Sequence, residues 1–328
     1  MPLLKTASAA SAAFGALLAL AAGLVAPAAP ASASPARLAA APAQRVAGRP
    51  DRARTRRAVE WPSVSGGYGQ APHLTFPPAK PPSKLEVKVL HEGHGSRTRR
   101  GDLLVANYLG QIWRGKVFDS SFARHQLSGF EIGVGAVIKG WDASLVGVRT
   151  GSRLLLVVPP ADGYGPKGNK AAGITGKDTL VFVVDVVATY GHGAEISAKA
   201  KEVTRSSGGV TVSGALGAAP RISVRKGSRL PAAATATVLA RGRGAPVHAG
   251  LVVVQFEVAT SAGVLAESTW AAGSPFALNP GQAGEVAWVD ALEGVPLGSR
   301  VLVRLPASAS PYTIYVIDLV AQPKDPQT

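Results

Sequence analysis

The strongest constraint on this fold is that one stretch of chain is written twice. Val89-Leu90-His91-Glu92-Gly93-His94-Gly95 returns as Val238-Leu239-Ala240-Arg241-Gly242-Arg243-Gly244, and Gly115-Lys116-Val117-Phe118-Asp119-Ser120-Ser121 returns as Gly263-Val264-Leu265-Ala266-Glu267-Ser268-Thr269. Trp141 aligns with Trp288, and Gly151-Ser152-Arg153 with Gly298-Ser299-Arg300. The separation stays at about 148 residues, far beyond the period of a solenoid, so the pattern predicts two tandem copies of one domain. The register fails once: the loop from Pro159 to Asp178 shrinks to Ala307-Ser308-Ala309-Ser310-Pro311.

A length of 328 residues suits two domains plus tails. The N-terminus has Lys5, then an uncharged Ala/Leu/Gly/Phe run from Ala9 to Val25, then Ala31-Ser32-Ala33. That is the layout of a secretory signal peptide over residues 1–33, and it predicts an exported protein, secreted or bound at a bacterial cell surface. A retained membrane anchor is the alternative, because the run approaches the length that spans a bilayer. Residues 34–83, rich in Ala, Pro and Arg and without helical or strand periodicity, are expected to form a disordered tether. Much of the net charge of +15 sits there, in Arg45, Arg49, Arg52, Arg54, Arg56 and Arg57. A nucleic-acid partner would call for a basic face on a folded domain. The run reads instead as a solvated segment in weak contact with anionic envelope polymers. The absence of cysteine excludes disulfides, thiolate metal sites and a cysteine nucleophile.

Regular structure begins near Leu85. Leu85, Val87 and Val89 alternate with Glu86 and Lys88 as in a half-buried strand. Leu103 to Leu109 alternates Leu104, Ala106 and Tyr108 against Val105 and Asn107, and Thr179 to Val187 places Phe182, Val184 and Val186 opposite Asp185. Arg153 to Val158 is a further strand. Ile138 to Val148 reads as a helix of about two turns, closed by Gly147. The expected class is α+β, with domains over 84–190 and 219–322 joined by a Gly/Ser/Lys-rich linker over 191–218.

No metal or phosphate site stands out. His91 and His94 sit in a Gly-rich turn without a carboxylate at ligand spacing, and no Gly-Lys-Ser/Thr element follows a strand. Tyr108, Val137 and Phe182 would fit any core. Phe118-Asp119 after a turn is harder to explain as packing, because a buried Asp needs a partner, which Arg124 can supply. Tyr164, between two glycines in a long loop, gains little from burial and is the better functional candidate.

Val105-Ala106-Asn107-Tyr108-Leu109-Gly110, Gly115 to Ser121, Val137-Ile138-Lys139-Gly140-Trp141, Leu145-Val146-Gly147-Val148, Gly163-Tyr164-Gly165 and Thr179-Leu180-Val181-Phe182 occur in the order and spacing of the FKBP-type peptidyl-prolyl cis–trans isomerases, which the segment 84–190 resembles. The resemblance implies two FKBP-like domains, each an antiparallel half-barrel sheet wrapped around a short helix. It implies an apolar pocket lined by Tyr108, Phe118, Val137, Ile138, Trp141, Tyr164, Ile174 and Phe182, with Trp141 as the floor. Asp119 and Arg124 would complete a polar edge with the Tyr108 hydroxyl, and the Tyr164 hydroxyl and Ile138 N–H would meet peptide carbonyls. Proline-containing polypeptides would be the clients and a macrolide a further ligand, with no cofactor. Ser128 stands where the family carries an aromatic, and Thr175-Gly176 replaces a Pro-Pro pair, which is expected to loosen the long loop.

In the second copy Phe256 replaces Tyr108, Ala266 replaces Phe118, Glu267 replaces Asp119, and the Tyr164 loop is deleted. That copy is expected to scaffold or hold a client without turnover. Three functions follow for the whole chain: an isomerase acting on exported proteins through its first domain, a non-catalytic chaperone built on two such folds, or an envelope-associated structural protein.

Overall fold

The computed structural model describes residues 59–196, 199–280, 289–306 and 312–328. The expected signal segment, the arginine run, Trp288 and the shortened loop at 307–311 lie outside the described residues.

Eight strands precede the middle of the chain: β1 (Ser63–Ser65), β2 (His73–Thr75), β3 (Glu86–His91), β4 (Leu103–Ile112), β5 (Val117–Ser120), β6 (Ser128–Glu131), β7 (Arg153–Val158) and β8 (Leu180–Tyr190). Ten follow: β9 (Lys201–Glu202), β10 (Ser206–Ser207), β11 (Val210–Ser213), β12 (Arg221–Val224), β13 (Thr235–Arg241), β14 (Val252–Thr260), β15 (Leu265–Ser268), β16 (Phe276–Leu278), β17 (Arg300–Arg304) and β18 (Tyr312–Ala321). The first large sheet runs β3-β7-β8-β4-β5 with β6 also on β4. The second runs β13-β17-β18-β14-β15 with β16 on β14, and β9 extends it beyond β13. All pairings are antiparallel, and the two strand orders match position for position.

The expected helix spans Lys139–Leu145 and ends sooner than the pattern suggested, with Val146 already extended. It lies across one face of the first sheet, where Trp141 and Leu145 join Leu104, Ala106, Tyr108, Leu154, Leu156, Phe182, Val184 and Val186 in one buried cluster. Burial of these alternate side chains supplies the main driving force for closing the sheet over the helix.

The tether expected over 34–83 ends well before residue 83. β1 and β2 form a hairpin, with Val64 opposite Leu74. Trp61, Val64, Leu74 and Phe76 cover the other face of the first sheet, against Leu109, Phe122, Leu155, Val157, Val181 and Val183. β4, β7 and β8 are therefore buried on both faces over most of their length, whereas β3, expected to be half-buried, leaves Val87 and Val89 exposed at the sheet edge. The linker expected over 191–218 is likewise partly structured: β10, β11 and β12 form a small sheet over Leu239, Leu302, Ile314 and Val316. A sequence signal for this was present. Val64-Ser65-Gly66 and Ala71-Pro72 return as Val212-Ser213-Gly214 and Ala219-Pro220, at the separation of the main repeat.

The β1–β2 loop and the β11–β12 loop each close on a buried ion pair. Arg153 meets Asp185 through two bonds of 2.5 and 2.7 Å, and its remaining N–H groups donate to Gly66 O and Gln70 O, both at 2.7 Å. Arg300 meets Asp318 at 2.7 and 2.8 Å and donates to Ala215 O and Ala218 O. A buried guanidinium is tolerated because every direction of its fork finds an acceptor.

Candidate active site

The site is built where β4 and β8 pass under the helix Lys139–Leu145. Tyr108 projects from β4 onto the same face as Leu104 and Ala106, because alternate residues of a strand share a side. Phe182 comes from β8, two strand positions from Val184. Trp141 sits in the first turn of the helix, its N–H bonded to Ile138 O at 2.9 Å. The rings meet edge to face. Centroid distances are 5.5 Å for Tyr108–Trp141, 5.4 Å for Trp141–Phe182 and 5.7 Å for Phe118–Phe182. Edge-to-face contact suits the aromatic quadrupole and fixes ring orientation better than aliphatic packing. Val137, Ile138 and Ile174 are buried in the same cluster, with Phe118 and Tyr164 half-buried against it.

The polar edge is a closed triangle. Tyr108 Oη donates to Asp119 Oδ2, Arg124 Nη1 pairs with Asp119 Oδ1, and Arg124 Nη2 donates to Tyr108 Oη at 3.1 Å. Local structure sets this up. Ser120 caps the one-turn helix Ser121–Arg124 by accepting from Ala123 N–H, and that turn swings Arg124 back over the Tyr108 ring, 5.8 Å from its centroid. Burial, then the Asp119 charge, pushes the Tyr108 hydroxyl far above the ordinary tyrosine range, so it stays protonated, donating to Asp119 and accepting from Arg124.

Tyr164 is lifted to about 12, mainly by burial. Its hydroxyl is bonded to the Asn169 side chain, a contact that offsets part of the rise. Asn169 also pairs with Ile174 through two backbone bonds of 2.8 Å, and its Oδ1 accepts from Ala172 N–H. Asp178 Oδ2 accepts from Thr175 N–H at 2.7 Å. The loop expected to be loosened by Thr175-Gly176 is tied by these bonds.

The structure brings all ten residues singled out from sequence to one place: Tyr108, Phe118, Asp119, Arg124, Val137, Ile138, Trp141, Tyr164, Ile174 and Phe182. It adds four that sequence reasoning missed. Phe130 stacks edge-on to both Tyr108 and Trp141, at 5.6 and 5.0 Å. Asp142 accepts from Gly133 N–H and Gly135 N–H, pinning the loop that carries Val137. Asn169 orients Tyr164, and Ser121 Oγ accepts from Tyr108 N–H at 2.8 Å. Only Phe130 carried a readable signal, as the aromatic of a short strand; the others are polar residues whose partners lie across loops.

In the second copy, Phe256 takes the place of Tyr108 and packs on Phe276 at 5.6 Å. Phe276 supplies there the aromatic that Ser128 withholds from the first copy. Ala272 occupies the position of Arg124, and burial raises the Glu267 carboxyl. The polar triangle is absent.

Comparison with known proteins bears on the first of these sites. A family profile described as FKBP-type peptidyl-prolyl cis-trans isomerase matches residues 95–187. An FK506-binding protein of Streptomyces anulatus is 35% identical over 120 residues, covering 36% of this chain and 97% of that protein. FK506-binding protein 1A of Neurospora crassa is 40% identical over 110 residues, covering 33% of this chain and 89% of its own. FK506-binding protein 2 of Dictyostelium discoideum is 40% identical over 113 residues, covering 33% of this chain and 83% of its own. With nearly the whole of a relative matched at this identity, the chain belongs to the FKBP-type peptidyl-prolyl cis–trans isomerase family.

Proposed function

We propose that the chain catalyses cis–trans isomerisation of X–Pro bonds through the cluster around Trp141, acting on exported polypeptides. The observation that carries this reading is the union of an aromatic floor (Tyr108, Trp141, Phe182) with a neutral tyrosine donor at its rim (Tyr164) and a self-satisfied polar edge.

Rotation about an X–Pro bond breaks amide resonance, a barrier of roughly 20 kcal/mol. The planar amide is more dipolar than the twisted one, so water favours the ground state. An aromatic surface withholds that solvation and lowers the barrier selectively. Tyr164 O–H and Ile138 N–H would hold the flanking carbonyls while the bond turns. A million-fold acceleration corresponds to about 8 kcal/mol, within reach of desolvation with positioning. Trp141 is fully buried at the centre of the cluster, with Phe118 and Tyr164 half-buried at its edge.

The relatives' printed names include FK506 binding, and the same apolar surface would take a macrolide here. Export rests on the sequence of residues 1–33, and weak envelope attachment on the arginine run. The second domain, without the triangle, would hold or orient the client.

A proline-limited refolding assay on the full chain tests the proposal. Wild type should accelerate the slow phase, with Tyr164→Phe reduced and Trp141→Ala strongly reduced. A wild-type chain no faster than buffer across several X–Pro substrates leaves the alternative reading, a non-catalytic peptide-binding chaperone.

A further inference from the structure

The two domains meet through the same surface of each. Leu103, Val105 and Leu127 of the first pack with Leu251, Val253 and Ala277 of the second in one buried cluster. Leu103 and Leu251 are equivalent positions in the repeat, as are Val105 and Val253. At the centre, a Cβ on Gly129 would stand 2.6 Å from the Cβ of Ala277, its own counterpart. Like meeting like is the signature of an isologous two-fold contact, here within one chain.

The two-fold relation extends to the segments that leave each last strand. Ala194, four residues past β8, accepts at its carbonyl from Gln255 Nε2 of the second domain at 3.0 Å. Asp325, four residues past β18, accepts at Oδ1 from Asn107 Nδ2 of the first domain at 2.7 Å. Glu195 lies against Gly217, and Pro326 against Gly69, where a side chain would collide with Pro326 O at 2.8 Å. Each domain's exit segment clasps the other domain at the same spot.

The consequences differ because the sequences differ. In the first domain the clasp continues inward. Asn107 Oδ1 accepts from Ser121 Oγ at 2.8 Å, and Ser121 Oγ accepts from Tyr108 N–H at 2.8 Å. Ser121 opens the helical turn that carries Arg124, and Tyr108 bears the hydroxyl of the polar triangle. In the second domain the equivalent path, through Thr269 Oγ1 to Phe256 N–H, ends on a ring with no hydroxyl. We infer that Asp325 is a positioning residue for the first domain's site: the second domain acts as a built-in partner whose C-terminal segment fixes Asn107, Ser121 and hence the Tyr108–Asp119–Arg124 edge. This rests on reading that edge as part of an isomerase site.

Full-length Asp325→Ala and Asp325→Asn test it. Asparagine keeps an acceptor oxygen for Asn107 Nδ2 and alanine does not. Losing one such bond should lower kcat/KM about fivefold in Asp325→Ala, with Asp325→Asn restored to within about twofold of wild type. Amide hydrogen exchange at Tyr108 should quicken in Asp325→Ala by more than any accompanying fall in urea unfolding stability accounts for. Gln327→Ala, which removes a second bond to Asn107 Oδ1, should act in the same direction. Wild-type kcat/KM in Asp325→Ala, or equal impairment in Asp325→Asn, overturns the inference. If the wild-type chain proves inactive, the isomerase reading fails separately, and the exchange measurement decides the clasp: faster exchange upholds it, and unchanged exchange overturns it.

Discussion

Arg153 and Asp185, on neighbouring strands β7 and β8, form a two-pronged ion pair that is closed from solvent by the Gly66–Gln70 loop. The pair joins the sheet to a segment that has the composition of a tether. Removing Asp185 alone strands a buried guanidinium, a change that costs about 3–5 kcal/mol. Urea unfolding of Asp185→Ala should show a loss of that size, and a loss below about 1 kcal/mol would mean that water reaches the site.

Deleting the hairpin should be as damaging. A chain starting at residue 84 loses Trp61, Val64, Leu74 and Phe76 from the outer face and uncovers Leu109, Phe122 and Leu155. At about 1.5–3 kcal/mol for each large side chain fully buried, the loss should exceed about 3 kcal/mol relative to a chain starting at residue 59. Equal thermal midpoints would refute a structural role for the hairpin.

Trp141 fills the centre of the aromatic cluster, and its Nε1 is buried without a hydrogen-bond partner. Trp141→Ala should cost about 3–5 kcal/mol through the cavity it leaves. Trp141→Phe keeps most of the apolar contact and removes the unpartnered N–H, so its cost should be clearly smaller. Similar costs for the two variants would show that the indole nitrogen makes a bond that matters.

Tyrosines held neutral by full or partial burial predict alkaline sensitivity. Tyr68 and Tyr164 are raised to about 12 and Tyr108 further, each chiefly by burial. An unfolded tyrosine ionises near about 10. The stability tied to these neutral hydroxyls is therefore complete below about pH 10 and is lost as pH climbs through the folded values. Phenolate absorbance from them should appear together with unfolding, and Tyr164→Phe should flatten the fall of stability with pH. Activity should not titrate with Tyr164 near neutrality, since the hydroxyl stays protonated there.

The sequence by itself determined the strands of the first large sheet and the ten residues first singled out at the site. Alternation of Leu104, Ala106 and Tyr108, and of Phe182, Val184 and Val186, set which faces turn inward, because period two leaves no choice once one face is apolar. The spacing of Asp119 and Arg124 announced their pair, since a single helical turn carries the chain from one to the other. Only the tertiary structure decided what covers the outer faces, how the two copies meet, and where Asn107, Ser121, Asn169 and Asp325 direct their bonds. Strands as short as β1 and β2 carry too few alternations to register. A hydrogen bond such as Asn107–Asp325 joins residues 218 apart. Its existence depends on two whole domains docking, and no local pattern of side chains encodes that.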